Sequence, residues 1–197
     1  MLKYTCMKKE MTHIIKIGYQ GAIGSNSEEA ARHFAKKLYL HNAMLIPFVK
    51  SSNVVAALLE SCIDYGVMAT ENSIAGEVHE TKIALDSRIE LCSRISLPIH
   101  HCIFIKNPNV KIKFISSHVQ ALKQTENTCR QILPNVIAVE CADTAVAAEM
   151  LYKGLYPDNY AIICRKNTGL LYGLHLLAEN VEDNKSNTTV FGLFKLN

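Results

Sequence analysis

Short predicted strands that alternate with helix-like segments constrain the fold of this chain more than any other feature of its sequence. The clearest of these strands are 14–19, 65–69, 111–115 and 160–164. After the first of them, four apolar residues recur at the spacing of one helix face, namely Ala31, Phe34, Ala35 and Leu38. Strands that alternate with helices in this way predict an α/β fold with largely parallel strands.

Polar residues stand where these strands end and the helices begin. Ser25 and Ser117 each have a Glu or Gln three residues later, the spacing of a helix capping box, and Asp143 precedes a helix predicted over 144–153. Backbone N–H groups at helix starts favour anions, and ligands of open α/β sheets bind beyond the strand ends, where Glu71-Asn72-Ser73 lies. These helix starts suit a small anionic ligand, but they suit any α/β fold as well, so the pattern alone predicts an α/β protein with a cleft.

Composition excludes several classes of protein. The 197 residues are 49% hydrophobic, and the net charge of +3 comes without a Lys/Arg-rich run, so we expect no nucleic-acid partner. No apolar run approaches the ~20 residues of a membrane span. Seven cysteines without a CxxC pair favour a reducing cytoplasm. Residues 1–13 are interpreted as a loose leader, and their lack of an apolar region argues against a signal peptide.

The sequence predicts no cofactor and no metal. The loop at 20–27 matches neither GxxxxGK[ST] nor the spacing of GxGxxG, so a nucleotide is not implied. The eight histidines show none of the spacings typical of zinc sites. His100 and His101 are neighbours in a predicted strand over 97–105, where they would face opposite sides and could not share one metal.

Seven motifs of the chain occur in the order in which one enzyme family carries them. They are Gly21–Ser27, similar to GPxGSYS; Glu71–Val78, similar to ENSxxGxV; Ile99–Ile103, similar to IxHCL; Ser117–Gln124, similar to SHPQALxQ; Asp143–Ala148; Leu171–Leu174; and Asn187–Phe191, at the place of NxTRF. With these motifs the chain resembles the catalytic domain of the prephenate dehydratase family over about residues 16–195.

The resemblance implies a fold and an activity. The fold would be two α/β lobes like a type II periplasmic binding protein, with mostly parallel sheets and a central cleft. Lobe one would comprise residues 14–92 and 176–197, and lobe two residues 93–175. The activity would be that of a carbon–oxygen lyase in phenylalanine biosynthesis, which removes CO2 and water from prephenate to give phenylpyruvate.

The resemblance also implies the site residues. Thr189 would donate a hydrogen bond to the leaving hydroxyl, and Glu71 would be a proton source if burial raises its pKa, the alternative being that Glu71 pairs locally. The predicted substrate-binding residues are Ser25, Ser27, Asn72, Ser73, Ser117, Gln120, Thr144, Asn187 and Phe191. The predicted partner is a small dicarboxylate such as prephenate, and a homodimer fits the resemblance.

Two departures from the family pattern concern the end of the chain. Val190 replaces the Arg of NxTRF; if that Arg binds substrate charge, its loss costs about 1.5–3 kcal/mol, or ~10- to 100-fold in rate. In a strand, Asn187, Thr189 and Phe191 share one face and Val190 the other, so Thr189 stays presented. The family's phenylalanine-sensing ACT domain is not seen before Asn197, and we expect no feedback inhibition through it.

Two alternatives to the dehydratase remain open at the level of sequence. A non-aromatising prephenate decarboxylase of a secondary-metabolite pathway would share the missing Arg and the short chain, and would retain the ring hydroxyl. A non-catalytic protein on the same two-lobed fold would only bind a small carboxylate. The ENS motif and Thr189 favour the dehydratase.

Overall fold

The computed structural model describes residues 14–197, so the predicted leader at 1–13 lies outside the described residues. The strands are β1 (Lys16–Gln20), β2 (Met44–Phe48), β3 (Tyr65–Asn72), β4 (Gly76–Glu77), β5 (Ile89–Pro98), β6 (Cys102–Ile105), β7 (Phe114–Ser117), β8 (Ile137–Glu140), β9 (Tyr160–Cys164), β10 (His175–Ala178) and β11 (Thr188–Leu196). The helices are α1 (Asn26–Lys37), α2 (Ser51–Leu59), α3 (His79–Ala84), α4 (Val119–Gln124), α5 (Glu126–Ile132), α6 (Thr144–Tyr152) and α7 (Lys166–Leu171).

The strands form two mixed sheets. The first has the order β2-β1-β3-β11-β5, with β4 paired to β3, and the second has the order β10-β6-β9-β7-β8. Strand β1 runs parallel to β2 and β3, and β7 parallel to β8 and β9, whereas β11 is antiparallel to β3 and β5, and β6 to β9 and β10. The α/β class is confirmed, but the expectation of mostly parallel sheets needs correction, because apolar runs reveal a strand and not its direction.

The chain passes from one sheet to the other at residues that differ from the expected lobe boundaries. Strand β5 pairs with β11 from residue 89 to residue 98, so a division at 92–93 would cut a strand of the first sheet. Strand β10 pairs with β6, so a division at 175–176 would cut a strand of the second. The chain changes sheets at 99–101 and again between 178 and 188. The strand predicted over 97–105 is therefore two strands, one in each sheet.

Each sheet has a core on both of its faces. In the first sheet, the predicted stripe of α1 is confirmed for Ala31 and Phe34, which are fully buried against β1, β3 and β11, and Ala35 packs beside them. Leu38, the fourth residue of the stripe, follows the helix and is exposed. Helix α2 covers the opposite face with Val54 and Leu58. In the second sheet, α6 packs Leu151 and its neighbours against β6 and β9, while α4 and α5 cover the other face. Each such aliphatic or aromatic side chain contributes about 1.5–3 kcal/mol through burial.

The helix predicted from Ser117 to about Leu133 is two short helices that begin one residue later than expected. Ser117 is the last residue of β7, and His118 is the N-cap of α4, with its Nδ1 accepting from the Gln120 backbone N–H at 3.2 Å. Thr125 separates α4 from α5 and donates its hydroxyl to the carbonyl of Ala121 at 2.8 Å. The prediction that Ser117 caps this helix, which the spacing at 117–120 suggested, is therefore wrong.

Candidate active site

A cleft of about 450 Å³ lies between the two sheets, within the range of small-molecule sites. On the side of the first sheet it is lined by the ends of β1 and β3, the start of α1 and one face of β11. On the side of the second sheet it is lined by the link at 99–101 and by the starts of α4 and α6. The carboxyl ends of β1, β3, β7 and β8 therefore converge here, as expected for an α/β fold.

Seven of the eleven predicted site residues line this cleft. They are Ser25, Ser27, Asn72, Gln120, Thr144, Thr189 and Phe191. The other four are Glu71, Ser73, Ser117 and Asn187, which do not line it. The roles of the seven remain predictions, but the structure brings them together around one space.

The start of α1 forms one corner of the cleft. Ser25 is the N-cap, and its hydroxyl oxygen accepts from the backbone N–H of Glu28 at 3.3 Å, as the capping-box spacing predicts. The Glu28 carboxylate reaches back to the backbone N–H of Gly24 at 2.5 Å, one residue before the usual partner. The 12-residue helix therefore presents a well-capped, positive end to the cleft.

The start of α6 forms the facing corner. Asp143 is the N-cap, as predicted, and its Oδ1 accepts from the backbone N–H groups of Ala145 at 2.7 Å and Val146 at 3.4 Å. Burial raises the pKa of the Asp143 carboxyl above its ordinary value, although these hydrogen bonds act in the opposite direction. Its Oδ2 lies 3.3 Å from the position that a Cβ on Gly21 would take, so the lobes approach closely here.

One face of β11 supplies the floor of the cleft. Thr189 and Phe191 line the cleft and Val190 does not, so the predicted alternation is confirmed for these three residues. Asn187, which was predicted on the same face, precedes the strand and does not line the cleft. Thr189 is paired with Asn72 of β3, whose Nδ2 donates to Thr189 Oγ1 at 2.9 Å. This contact joins the ENS motif to the threonine at the far end of the chain.

Glu71 lies outside the cleft, contrary to the prediction that it could act there as a proton source. A β-bulge is the reason. Phe191 pairs with Ala69 but Val190 pairs with Glu71, so Thr70 is an extra residue on β3. The bulge reverses the alternation, and it directs Asn72 towards the cleft and the exposed Glu71 side chain away from it.

The other three predicted residues that do not line the cleft hydrogen-bond to other parts of the fold. Ser117 is buried and donates to the carbonyl of Ile163 at 2.6 Å, which ties β7 to β9. Ser73 is exposed, and its hydroxyl accepts from the backbone N–H of Thr188 at 2.9 Å. Asn187 is buried between Asn72 and Gln124. We therefore correct the prediction that these residues face the ligand.

Gln124 and His101 line the cleft without having been predicted as site residues. Gln124 lies one helical turn after Gln120, so the periodicity of α4 could have identified it. His101 follows the end of β5, and its Nε2 lies 3.1 Å from Gln124 Oε1. Burial lowers the pKa of His101, so the imidazole is neutral near pH 7. His100 points the other way, to the buried Glu182 at 3.0 Å.

The charges of the cleft lining are acidic. Glu77, Glu80 and Asp143 contribute carboxylates, and the lining contains no Lys or Arg from the described residues. Glu80 is held by the backbone N–H of Ser51 at 2.8 Å and by the side chain of Gln20 at 3.1 Å. Anionic groups of a ligand would therefore be bound by backbone N–H groups and hydroxyls.

Comparison with known proteins agrees with this geometry. The family model described as prephenate dehydratase matches residues 17–197. Arogenate dehydratase 1 of Petunia hybrida is 33% identical over 181 residues, which are 90% of this chain and 41% of that protein. The chain thus spans about two fifths of the length of the curated relatives it matches.

Solved structures show the same fold. The prephenate dehydratase of Arthrobacter aurescens, in complex with L-Phe, superposes with a TM-score of 0.79 at 26% identity, covering 93% of this chain and 61% of that one. A periplasmic substrate-binding protein from Coxiella burnetii gives 0.50 at 14% identity, covering 91% and 84%, which shows the fold alone. None of the helices between residues 14 and 197 combines the length and apolar character of a membrane span. The two-lobed architecture, the ordered motifs and the family match agree, and the chain belongs to the prephenate dehydratase family.

Proposed function

We propose that this chain catalyses the decarboxylating dehydration of prephenate to phenylpyruvate, and so serves L-phenylalanine biosynthesis. The observation that carries the proposal is the position of Thr189, which lines the same cleft as Phe191 and the starts of α1 and α6. A hydroxyl, an apolar surface and the N-terminus of α1 match the three demands of this reaction. They are a donor for the leaving group, an apolar environment for CO2 and a site for a carboxylate.

The reaction breaks two bonds of the substrate. The bond to the ring carboxylate breaks and its electrons enter the ring, while the bond to the ring hydroxyl breaks and its electrons leave with the oxygen. CO2, hydroxide and aromatic phenylpyruvate result, and the hydroxide takes a proton from solvent. Thr189 is a weak acid, so it assists as a hydrogen-bond donor to the departing oxygen and not by full proton transfer.

The surroundings of the departing carboxylate favour its loss as CO2. Phe191, Ala69 and Ile99 line the cleft with apolar surface, which lowers the solvation of a carboxylate more than that of neutral CO2. The substrate's other carboxylate would lie at the start of α1, whose first turn carries Ser25 and Ser27. The second sheet contributes Gln120 and Thr144 as neutral donors.

Arogenate is the second candidate substrate, and the acidic lining of the cleft favours it. Arogenate carries an ammonium group where prephenate has a keto group. Asp143 and Glu80 line the cleft without a Lys or Arg from the described residues beside them, so they suit a substrate with one positive charge. The curated relative from Petunia is named for arogenate, which supports the same choice.

Product identification tests the proposal. The purified chain is incubated with prephenate and, separately, with arogenate, and the products are identified by mass spectrometry and ultraviolet absorbance. We expect phenylpyruvate from prephenate and phenylalanine from arogenate, and the ratio of the two kcat/KM values gives the preference. A dihydro-hydroxyphenylpyruvate product would instead show decarboxylation without dehydration, and binding without turnover would contradict catalysis.

The described cysteines, all free thiols, are consistent with the cytoplasm as the reducing location of the enzyme.

A further inference from the structure

The orientation of the Asn72 side-chain amide is fixed by backbone groups. One of its two polar atoms accepts from the backbone N–H of Ile74 at 3.1 Å and from that of Ala75 at 3.0 Å. Backbone N–H groups only donate, so this atom is the oxygen. The amide nitrogen therefore faces three acceptors, namely Thr189 Oγ1 at 2.9 Å, Asn187 Oδ1 at 2.8 Å and the backbone carbonyl of Thr188 at 3.0 Å.

This orientation determines the direction of the Thr189 hydroxyl. An amide nitrogen has no acceptor capacity, so in the contact between Asn72 and Thr189 the hydroxyl oxygen accepts. Its proton must point elsewhere, and Thr189 Oγ1 makes no other hydrogen bond within residues 14–197. Thr189 lines the cleft, so the proton is left for a ligand. We propose that Asn72 is a positioning residue, which acts on the reaction by making the Thr189 hydroxyl a donor into the cleft.

The same logic continues into the second lobe. Since Asn187 Oδ1 accepts from Asn72, its Nδ2 faces Gln124 Oε1 at 3.0 Å and donates to it. Gln124 Oε1 also lies 3.1 Å from His101 Nε2, so the imidazole carries its proton on Nε2. His101 Nδ1 is then the unprotonated nitrogen, and it is buried without a partner among the described residues. Each hydrogen bond of this network therefore has one donor and one acceptor, from the backbone N–H groups of Ile74 and Ala75 to the imidazole of His101. We call this assignment the donor order.

The consequence for catalysis rests on the proposed function. A hydroxyl that is already directed at the leaving oxygen needs no reorientation when charge develops there. Removal of one preorganised donor of this kind costs about 100- to 1,000-fold in kcat. Asn72 would therefore influence kcat strongly and KM weakly, although it need not bind the substrate.

The first test reverses the direction of the hydrogen bond with a nearly isosteric change. Asn72→Asp keeps one oxygen on the Ile74 and Ala75 N–H groups and puts a carboxylate oxygen beside Thr189, so the threonine donates to Asp and not to substrate. We expect kcat to fall about 100-fold with KM within roughly threefold. Thr189→Ala should lose a similar factor, and the double variant should be no slower than Thr189→Ala alone. Losses that multiply would overturn the proposal.

A matched control carries the same charge change one step along the network. Asn187→Asp still accepts from Asn72, so the Thr189 hydroxyl keeps its direction, and Asn187 does not line the cleft. We expect a much smaller loss of kcat than in Asn72→Asp. An equal loss in the two variants would mean that any buried charge here impairs the enzyme, and would contradict the specific role of Asn72.

The second test is independent of turnover. The two-bond ¹H–¹⁵N couplings of ¹⁵N-histidine-labelled protein report the tautomer of each imidazole, and His101→Gln identifies the resonances of His101. We expect the Nε2–H tautomer in the wild type, because Gln124 Oε1 accepts from that nitrogen while Gln124 Nε2 faces Asn72 Oδ1 at 3.4 Å. A wild-type Nδ1–H tautomer would overturn the donor order. If neither substrate is converted, the proposed function fails while this measurement still decides the inference.

Discussion

At the scale of single residues, His101 couples the pH to the stability of the fold. Its imidazole is buried, which holds its pKa below the ordinary value of about 6.5, although Gln124 and Glu182 act in the opposite direction. The unfolded chain therefore takes up the proton first as the pH falls. The contribution of His101 to the free energy of unfolding is fully present above pH ~6.5 and decreases below it.

This sign gives a prediction for His101→Gln, which retains a donor near Gln124 but cannot titrate. Between pH 7.5 and 5.5, the wild type should lose stability relative to the variant, by at most about 1.4 kcal/mol per pH unit. Urea denaturation at several pH values measures the difference. A difference between the two proteins that stays constant across this range would show that His101 titrates alike in the folded and unfolded states.

Val190 is the residue at which the chain departs from the family motif, and its position limits what an Arg could do there. The half-buried Val190 side chain lies on the face of β11 away from the cleft, paired with Glu71 of β3 and Ser96 of β5. We expect Val190→Arg to pair with Glu71, which adds about 0.2–1 kcal/mol of stability. The value of kcat/KM should change less than roughly threefold. A gain of 10-fold or more would show that the guanidinium reaches the substrate.

The same two strands show which side-chain directions a sequence can predict. Alternation alone placed Thr189 and Phe191 on the cleft side of β11, and the structure agrees. Glu71, which the resemblance implied as a site residue, points away from the cleft, because the extra residue Thr70 reverses the alternation in β3. The bulge is stabilised by a contact that no local pattern reveals, the hydroxyl of Thr70 donating to the carbonyl of Val190 across 120 positions of sequence.

At the scale of elements, helix starts were predictable where the cap is local. Ser25 and Asp143 cap α1 and α6 through N–H groups two or three residues ahead, so the sequence contains both partners. Ser117 has the same spacing, but its hydroxyl donates to Ile163 in a neighbouring strand, and His118 takes the cap position. Competition from a distant partner decided this case, and a short sequence window cannot show it.

The cap of α6 is also a buried carboxyl, which predicts a stabilising substitution. Because burial raises the folded-state pKa of Asp143, the folded state is disfavoured by its ionised form at neutral pH, and this cost disappears as the pH falls through that pKa. Asn caps helices about as well as Asp. Asp143→Asn should therefore raise the melting temperature at pH 7, with a smaller gain at pH 4.

The control for the cap is Asp143→Ala, which loses the side-chain acceptor. It should be less stable than Asp143→Asn by about 1 kcal/mol at both pH values. Calorimetric scans of the three proteins at pH 7 and pH 4 provide the comparison. If the Asn variant were less stable than the wild type at pH 7, the carboxylate would be stabilising the helix by more than its burial costs.

At the scale of the whole molecule, the two lobes are joined by more than the chain segments that cross between them. Thr168 of α7 donates its hydroxyl to the carbonyl of Gly24 at 2.6 Å, and the Arg165 guanidinium donates to the carbonyl of Ser25 at 3.1 Å and pairs with Glu29. These contacts join residues about 140 positions apart. They hold the second lobe against the loop that precedes α1, at the edge of the cleft. Sequence patterns could not predict them, because each partner is unremarkable in its own segment.

A glycine substitution measures how tightly the lobes are joined at this point. Gly24 has φ +87°, and a Cβ there would lie 2.8 Å from Thr168 Oγ1, whereas Gly173 has φ +64° with no atom within 4 Å of its Cβ position. Both Gly→Ala changes incur the left-handed penalty of about 1–2 kcal/mol. Gly24→Ala should cost a further ~1–3 kcal/mol, because Thr168 must move. In a Thr168→Ala background this extra cost should shrink, since Oγ1 and Cγ2 are removed and only the Cβ of residue 168, at 3.2 Å, remains close. Urea titrations measure the free energies of unfolding of Gly24→Ala, Gly173→Ala, Thr168→Ala and the Gly24→Ala/Thr168→Ala double variant. Equal costs for Gly24→Ala and Gly173→Ala would show that the lobes separate freely at the Gly24 loop.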